Sequence, residues 1–162
     1  MADGIRHFRD SDAASLAALT VAAISKIGPR AYSPAQVAAW AARHPGPERF
    51  IASATKGDTI LVAVDASDTP IAYVLTEPDG HVDMLYCHPD HTGNGVAGLL
   101  LGAAEAEARK AGIIRLFTEA SELARPVFAL ADFTLVQRRD FTIAHAGADV
   151  AIHNYAMEKQ LS

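Results

Sequence analysis

The middle of the chain reads His81-Val82-Asp83-Met84-Leu85-Tyr86-Cys87, then His88-Pro89-Asp90-His91-Thr92, then Gly93-Asn94-Gly95-Val96-Ala97-Gly98. The first seven residues are predicted to form a strand. The last six open an Ala- and Leu-rich helix running from about Asn94 to Ala111, with Gly112 as its cap. Glu105 and Arg109 form an i, i+4 pair on it. Ile113 to Glu119 is a further strand, so strand, helix and strand make a right-handed βαβ unit with a parallel pair. The glycines spell G-x-G-x-x-G between a strand and a helix. Glycine lets a backbone approach closely, and the orphan N–H groups of the helix start face an anion. The plainer alternative is a tight turn with close helix packing.

Upstream, Thr59 to Asp65 and Ile71 to Thr76 are β-branched runs. The short turns Ala66–Pro70 and Glu77-Pro78-Asp79-Gly80 make them antiparallel neighbours of strand 81–87. Ile5 to Arg9 is a first strand, and Asp10-Ser11-Asp12 supplies N-cap side chains for a helix carrying Leu16, Leu19, Ala23, Ile24 and Ile27. Gly28-Pro29 stops that helix, with Gly28 placed at C′. Ser33-Pro34-Ala35-Gln36 starts the next helix with a capping box, and Tyr32 and Val37 are its staple. That helix carries Val37, Trp40 and Ala41 and ends near His44-Pro45; no element is assigned to 46–58. Downstream come a short helix with Pro126 in its first turn and two strands, Phe133 to Ile143 and Val150 to Glu158. The expected fold is α/β (α+β): a mixed, mostly antiparallel sheet with one central parallel pair and helices on both faces.

Composition narrows the function classes. The chain has 162 residues, with 14 Lys+Arg against 19 Asp+Glu, a net charge of -5 and 50% hydrophobic residues. That length is expected to make a single domain over 1–162. The single Cys87 excludes an internal disulfide framework and points to a reducing, cytoplasmic compartment. The acidic balance argues against nucleic acid as a partner, and no apolar run reaches the ~20 residues of a membrane span. Met1-Ala2-Asp3-Gly4-Ile5-Arg6 has no apolar core of a signal peptide.

A dinucleotide-binding reading, with Glu119 as the ribose-binding acid, fails on three grounds. Five residues separate strand and first glycine, the preceding strands are antiparallel, and too little chain follows. A P-loop fails because no Gly-Lys-Ser/Thr follows the glycines. His88, Asp90 and His91 lie in one turn and are not expected to converge on a metal.

The segment His88 to Leu100 resembles the signature of the GNAT superfamily, the acetyl-CoA-dependent N-acyltransferases. The pattern Gln/Arg-x-x-Gly-x-Gly/Ala falls on Thr92 to Ala97, where Gly95 and Ala97 match and Thr92 does not. The element order matches over nearly the whole chain. Tyr32-Ser33-Pro34 with Trp40, Ala124-Arg125-Pro126 and the terminal Met157-Glu158-Lys159 resemble a YafP-like bacterial subgroup.

The resemblance implies an enzyme that moves the acetyl group of acetyl-CoA directly to a primary amine, on a small molecule, a peptide or a protein. It needs no metal, and relatives are often homodimers. It implies that the backbone of Gly93, Asn94, Gly95, Val96 and Ala97 holds the pyrophosphate, with Thr92 joining the cofactor site at the family's basic position. The pantetheine arm then lies in the splayed parallel pair beside Leu85 and Cys87. Asp83 is the implied base, raised toward neutrality by apolar neighbours or, on the plainer reading, an acid held by a hydrogen bond. The Cys87 backbone N–H is the implied oxyanion donor, while its thiol reads as core.

Relatives place a tyrosine acid where this chain has Phe128, four residues ahead of a Gly-Phe pair that here is Asp132-Phe133. Tyr86, Ser121 or water is left for that role. Ser121 is also a cofactor contact by resemblance and an N-cap by residue type. Phe128 gives weight to an alternative, a catalytically impaired acyl-CoA-binding sensor or partner-binding module. Tyr32, Trp40 and Tyr155 are nominated for the acceptor, although staple and core explain the first two equally well. No Lys or Arg lies between Lys56 and Arg109. The phosphates are therefore expected to rest on backbone amides and the helix dipole, with His88 and His91 as nearby cations and Arg125 at a peripheral phosphate.

Overall fold

The computed structural model describes residues 4–44 and 46–161; Met1 to Asp3, Pro45, at the expected end of the second helix, and Ser162 lie outside them. Among the described residues the strands are β1 (Gly4–His7), β2 (Thr59–Val64), β3 (Pro70–Thr76), β4 (His81–Cys87), β5 (Arg115–Ala120), β6 (Thr134–His145) and β7 (Ala148–Gln160). The helices are α1 (Ala13–Ile27), α2 (Pro34–Ala42), α3 (Glu48–Thr55), α4 (Val96–Lys110) and α5 (Arg125–Leu130). One sheet of seven strands runs in the order β1-β2-β3-β4-β5-β7-β6. Every pair is antiparallel except β4 with β5. No helix among the described residues is long and apolar enough to cross a membrane.

The β2 and β3 strands are buried on both faces, and the sheet divides the apolar interior into layers. Leu100, Leu101, Ala104 and Ala108 of α4 and Phe128 of α5 pack on Ala63, Val74, Val82 and Leu116. Leu16 and Leu19 of α1 and Phe50 of α3 pack on the opposite face, against Val62, Tyr73 and Met84. A third cluster seats Val37 and Ala39 of α2 on Ile143 and Ile152 of the β6–β7 hairpin. Helices thus cover both faces as expected.

Several local expectations change. Helix α3 falls within 46–58, where none was expected. Asp12 does not cap α1. Its carboxylate takes Arg6 Nη1 at 2.8 Å and the Arg9 N–H at 2.8 Å, so it ties β1 to the helix entry instead. Arg6 beside it holds the Asp12 carboxyl below its usual range against the opposing effect of burial, which is the largest influence on it. Gly28 is right-handed (φ -49°) rather than a left-handed C′. Its absent Cβ would lie 3.1 Å from Val37 Cγ2, so the position serves the close approach of α2. The Ser33–Gln36 capping box forms as expected, with Gln36 N–H donating to Ser33 Oγ at 3.2 Å. Asp132, at the position where the family resemblance implies a glycine, sits at φ +69°, the left-handed region that Asp tolerates better than most residues.

Candidate active site

The parallel pair is short. β4 and β5 are in register only at His81–Phe117 and Val82–Thr118, and Thr118 Oγ1 donates to the Val82 carbonyl at 2.8 Å to close that end. Beyond it the strands part. A cavity of about 440 Å³ is lined by Val82, Asp83, Leu85 and Tyr86 on one side and by Thr118, Glu119, Ala120 and Ser121 on the other.

The parting starts at a β-bulge. Leu75 pairs with Met84 and Thr76 with Val82, so Asp83 has no partner on β3. A bulge bends its strand and increases the local twist. Strict strand alternation, read from the sequence, puts Asp83, Leu85 and Cys87 on one face and Val82, Met84 and Tyr86 on the other; the bulge overturns it. Val82 packs in the α4-side core together with Leu85 and Cys87, while Met84 and Tyr86 pack in the α1-side core. Asp83 is therefore not on a common face with Leu85 and Cys87.

Asp83 is not surrounded by apolar groups alone either. Arg49 Nη2, from α3, lies 3.0 Å from Asp83 Oδ2. Oδ1 makes no hydrogen bond to the protein among the described residues.

The register also settles where the main-chain groups of β4 point. The His88 N–H donates to the Ile71 carbonyl at 2.8 Å, and Ala72 stands opposite Cys87. Hydrogen-bonded and non-hydrogen-bonded pairs alternate along an antiparallel ladder. Cys87 and Leu85 are then in the non-bonded class toward β3, and their N–H and C=O groups face the side that β5 has vacated. Such a row of unpaired groups is what an extended ligand needs in order to add as a strand. The Cys87 thiol is half-buried, and burial pushes it up from its usual range.

The glycine loop lies past the end of β4, outside the lining of the cavity. Gly93 and Gly95 adopt φ +81° and +76°, which L side chains avoid. A Cβ on Gly93, Gly95 or Gly98 would meet no heavy atom within 4 Å, so an open face lies in front of the loop. The first α4 bond runs from the Leu99 N–H to the Gly95 carbonyl, which leaves the Val96, Ala97 and Gly98 amides without helical acceptors. Thr92 Oγ1 donates to the Pro89 carbonyl at 3.1 Å and stays within its own loop. His88 and His91 rings are 5.9 Å apart, and His88 Nδ1 accepts the Asp90 N–H.

The other wall of the cavity is aromatic and basic. Tyr32, Trp40, Arg43, His44 and Arg49 come from the α2–α3 region, with Arg139, Phe141 and His153 from the hairpin. Tyr32 and Trp40 meet edge-to-face at 5.5 Å. The Tyr86 hydroxyl is 3.3 Å from His44 Nε2. Burial first, then the Arg49 and Arg43 charges, press His44 down to about 4, so the imidazole is neutral. Burial raises the Tyr86 phenol far above its ordinary range. Phe128 is buried against Phe133 and also lines the cavity.

The remaining nominated residues have structural partners. Ser121 Oγ accepts the Ala124 N–H at 3.1 Å and closes the turn into α5. The Tyr155 hydroxyl donates to Glu122 Oε2 at 2.7 Å, and Arg125 lies over the Tyr155 ring at 4.3 Å; neither lines the cavity. His153 Nε2 meets the same Glu122 oxygen at 2.6 Å and, with the Tyr155 hydroxyl, holds the Glu122 carboxyl below its usual range. The Tyr32 hydroxyl accepts the Glu122 N–H and donates to the His153 carbonyl. The cavity thus brings together Asp83, Leu85, Tyr86, Ser121, Tyr32 and Trp40. It adds Arg43, His44, Arg49, Glu119 and Arg139, which the sequence reading missed.

At the closed end of the parallel pair, His81 Nδ1 is 2.5 Å from Glu77 Oε1 and His81 Nε2 is 2.8 Å from Glu119 Oε1. Glu119 first, then Glu77, push His81 up to about 9 against the cost of burial. Ligand atoms of Glu77, His81 and Asp83 lie within 4.8 Å of one another. With both ring nitrogens donating to carboxylates, however, His81 is a cation and has no lone pair for a metal.

The Acetyltransferase (GNAT) domain family matches residues 29–145. The uncharacterized N-acetyltransferase YafP of Escherichia coli K12 is 27% identical over 138 residues, covering 83% of both chains. A GCN5-related N-acetyltransferase crystal structure from Rhodopseudomonas palustris, also described as a class-II aminotransferase, superposes with a TM-score of 0.84 at 33% identity, covering 99% of this chain and 97% of that one. The structure of yncA from Salmonella typhimurium with acetyl-CoA shares the fold, with a TM-score of 0.73 at 19% identity over 98% and 94% of the two chains. A short parallel pair that parts at a bulge, a glycine loop at the mouth of the gap and a family match across most of the chain agree: this protein belongs to the GNAT acetyltransferase family.

Proposed function

We propose that the chain, as a single domain over 1–162, transfers the acetyl group of acetyl-CoA directly to a primary amine. The observation that carries the reading is the parting of β4 and β5 beyond Val82 and Thr118, with unpaired main-chain groups of Leu85 and Cys87 along the gap. Bound acetyl-CoA would supply an activated acyl carbon, whose transfer to nitrogen forms a C–N bond and breaks the C–S bond.

The chain's own groups fit that ligand. The amides of the Gly93–Gly98 turn and the α4 dipole would hold the pyrophosphate without a cationic side chain. Leu85 and Cys87 would pair with the amide-bearing arm. The Cys87 N–H would stabilise the oxygen of the reacting carbonyl.

Asp83 would take the amine proton on Oδ1, directly or through one water, while Arg49 holds Oδ2. Tyr86 would return a proton to the departing sulfur. Tyr32, the other phenol on the wall, already donates to the His153 carbonyl, and Phe128 has no proton to give. Ser121, Arg125 and Tyr155 act here through the turn and hairpin that frame the gap. The acceptor is an amine of a small molecule, a peptide or a protein in the cytoplasm, with no nucleic-acid or membrane partner and no metal.

Two measurements test the reading. Acetyl-CoA should raise Tm, since a ligand that binds only the native state stabilises it. A panel of amines should then release free thiol. No stabilisation by acetyl-CoA would sink the reading. Stabilisation with no thiol release across the panel would return the impaired sensor.

A further inference from the structure

The charges of the cavity do not balance. Arg49 is paired with Asp83 at 3.0 Å, and Glu119 with the His81 cation at 2.8 Å. Glu122 is taken by His153 and Tyr155. Arg43 and Arg139 also line the cavity, and neither has a carboxylate within 4.0 Å among the described residues. Arg139 Nη1 donates only to the neutral Asn154 Oδ1, at 3.3 Å, and its guanidinium lies 5.8 Å from the Phe141 ring. The Arg43 guanidinium has no hydrogen-bond or ion-pair partner among the described residues; only its main-chain N–H is bonded, to the Trp40 carbonyl at the end of α2.

The chain carries a net charge of -5, yet this cavity holds two uncompensated guanidinium groups. Their field is felt inside it. Arg43 helps to hold His44 neutral, and Arg139 helps to hold the Glu119 carboxyl below its usual range. Both arginines lie on the α2 and hairpin side of the sheet, whereas the glycine loop opens α4 on the other. They are therefore not placed for the pyrophosphate.

We propose that the acceptor carries a carboxylate as well as its amine, an amino-acid-like zwitterion whose acid group is taken by Arg43 and Arg139. A guanidinium fork matches a carboxylate in two parallel hydrogen bonds. The amine then lies toward Asp83, and Trp40 and Phe141 cover the carbon skeleton between the two ends. A polycationic amine meets two like charges in the cavity wall, which costs affinity and slows its encounter. This inference rests on the acetyl-CoA reading for the presence of an acceptor, but its test does not require turnover.

Trp40 is the single tryptophan and lines the cavity, so its fluorescence reports occupancy. The probes are N-acetyl derivatives of the common amino acids, which are the products of such a transfer, each beside its C-terminal amide, with spermidine as the cationic control. At least one free acid should give a saturable change, about tenfold tighter than its amide. Arg43→Ala and Arg139→Ala should each weaken that acid about fivefold or more while leaving the amide and Tm unchanged. Amides that bind as tightly as acids, variants that bind the acid unchanged, no saturable response to any acid, or tighter binding of spermidine would each overturn the proposal. Failure of acetyl-CoA to raise Tm in a separate sample would sink the transferase reading instead.

Discussion

Arg49 Nη2 of helix α3 lies 3.0 Å from Asp83 Oδ2, the carboxylate of the bulged residue where β4 turns away from β5. The two side chains are 35% and 28% exposed, so the pair is partly screened and its value lies in orientation more than in stability. One carboxylate oxygen is fixed, and the other makes no hydrogen bond among the described residues. Asp83→Asn keeps the shape and removes the base. It should lower kcat by about 10²-fold or more while acetyl-CoA still raises Tm. Arg49→Leu keeps the base and releases it; kcat should fall by a smaller factor, about tenfold, because geometry is lost and not the proton acceptor. An Asp83→Asn enzyme with unchanged kcat would clear Asp83 of the role.

His81 sits between Glu77 and Glu119 at the closed end of the parallel pair and is pushed up to about 9. The unfolded value is about 6.5. The contribution to stability is therefore fully present below about 6.5 and is lost as the pH rises through about 9. With a His81 side chain only 17% exposed but carboxylates about one-third exposed, it is worth on the order of 2 kcal/mol after screening. Thermal unfolding of wild type and His81→Gln across that range tests it. The gap in Tm should be widest at the acid end and close on the alkaline side. A gap that does not narrow with pH would refute the imidazolium.

The βαβ core of the fold was legible because each period is long enough to read. Seven β-forming residues, a glycine loop and a fifteen-residue apolar-striped helix leave few alternatives. Helix α3 was not legible. Its eight residues bury only Phe50 and Ser53, and it follows Gly46-Pro47, which reads as loop. Arg49 was lost with it.

The bulge at Asp83 has no signature within 81–87, because it is defined by the register of β3. The assumed alternation consequently placed Asp83 with Leu85 and Cys87. Arg43 and Arg139 are distant in sequence and come to line one cavity only through the packing of α2 on the hairpin. The glycine loop, by contrast, announces itself through residues that must be glycine for backbone reasons.

Gly95 makes that last point testable. It is the N-cap of α4 at φ +76°, with open space where a Cβ would go. Gly95→Ala meets no atom, so its cost is the left-handed backbone alone, about 1–2 kcal/mol. The methyl would project from a residue of the amide-lined turn proposed to hold the pyrophosphate. The same variant should therefore lose much of the stabilisation by acetyl-CoA, beyond the drop in its own Tm. Gly102→Ala, in the middle of α4 with equal open space, is the control. It should gain slightly in stability, by helix propensity, and respond to acetyl-CoA as wild type does. Equal responses in both variants would remove the loop from the binding site.

His44 behaves in the opposite sense to His81. It is pressed down to about 4 by burial, with Arg49 and Arg43 adding to the effect, and its Nε2 faces the Tyr86 hydroxyl. The unfolded imidazole takes a proton near 6.5, while the folded one refuses it until about 4. Between those values the unfolded state holds more protons. Stability is therefore fully present above about 6.5 and falls as the pH drops toward about 4. His44→Gln cannot take up a proton. It should be less stable than wild type near neutrality, where the Tyr86 contact is weakened, and lose less stability on acidification. The carboxylates of Asp12, Glu105, Glu119 and Glu122, all held below their usual range, still fail at lower pH in both proteins. The informative window is thus the upper half of the acid limb. Denaturant titrations of both proteins there should converge as the pH falls; parallel curves would mean that His44 is not buried in its neutral form.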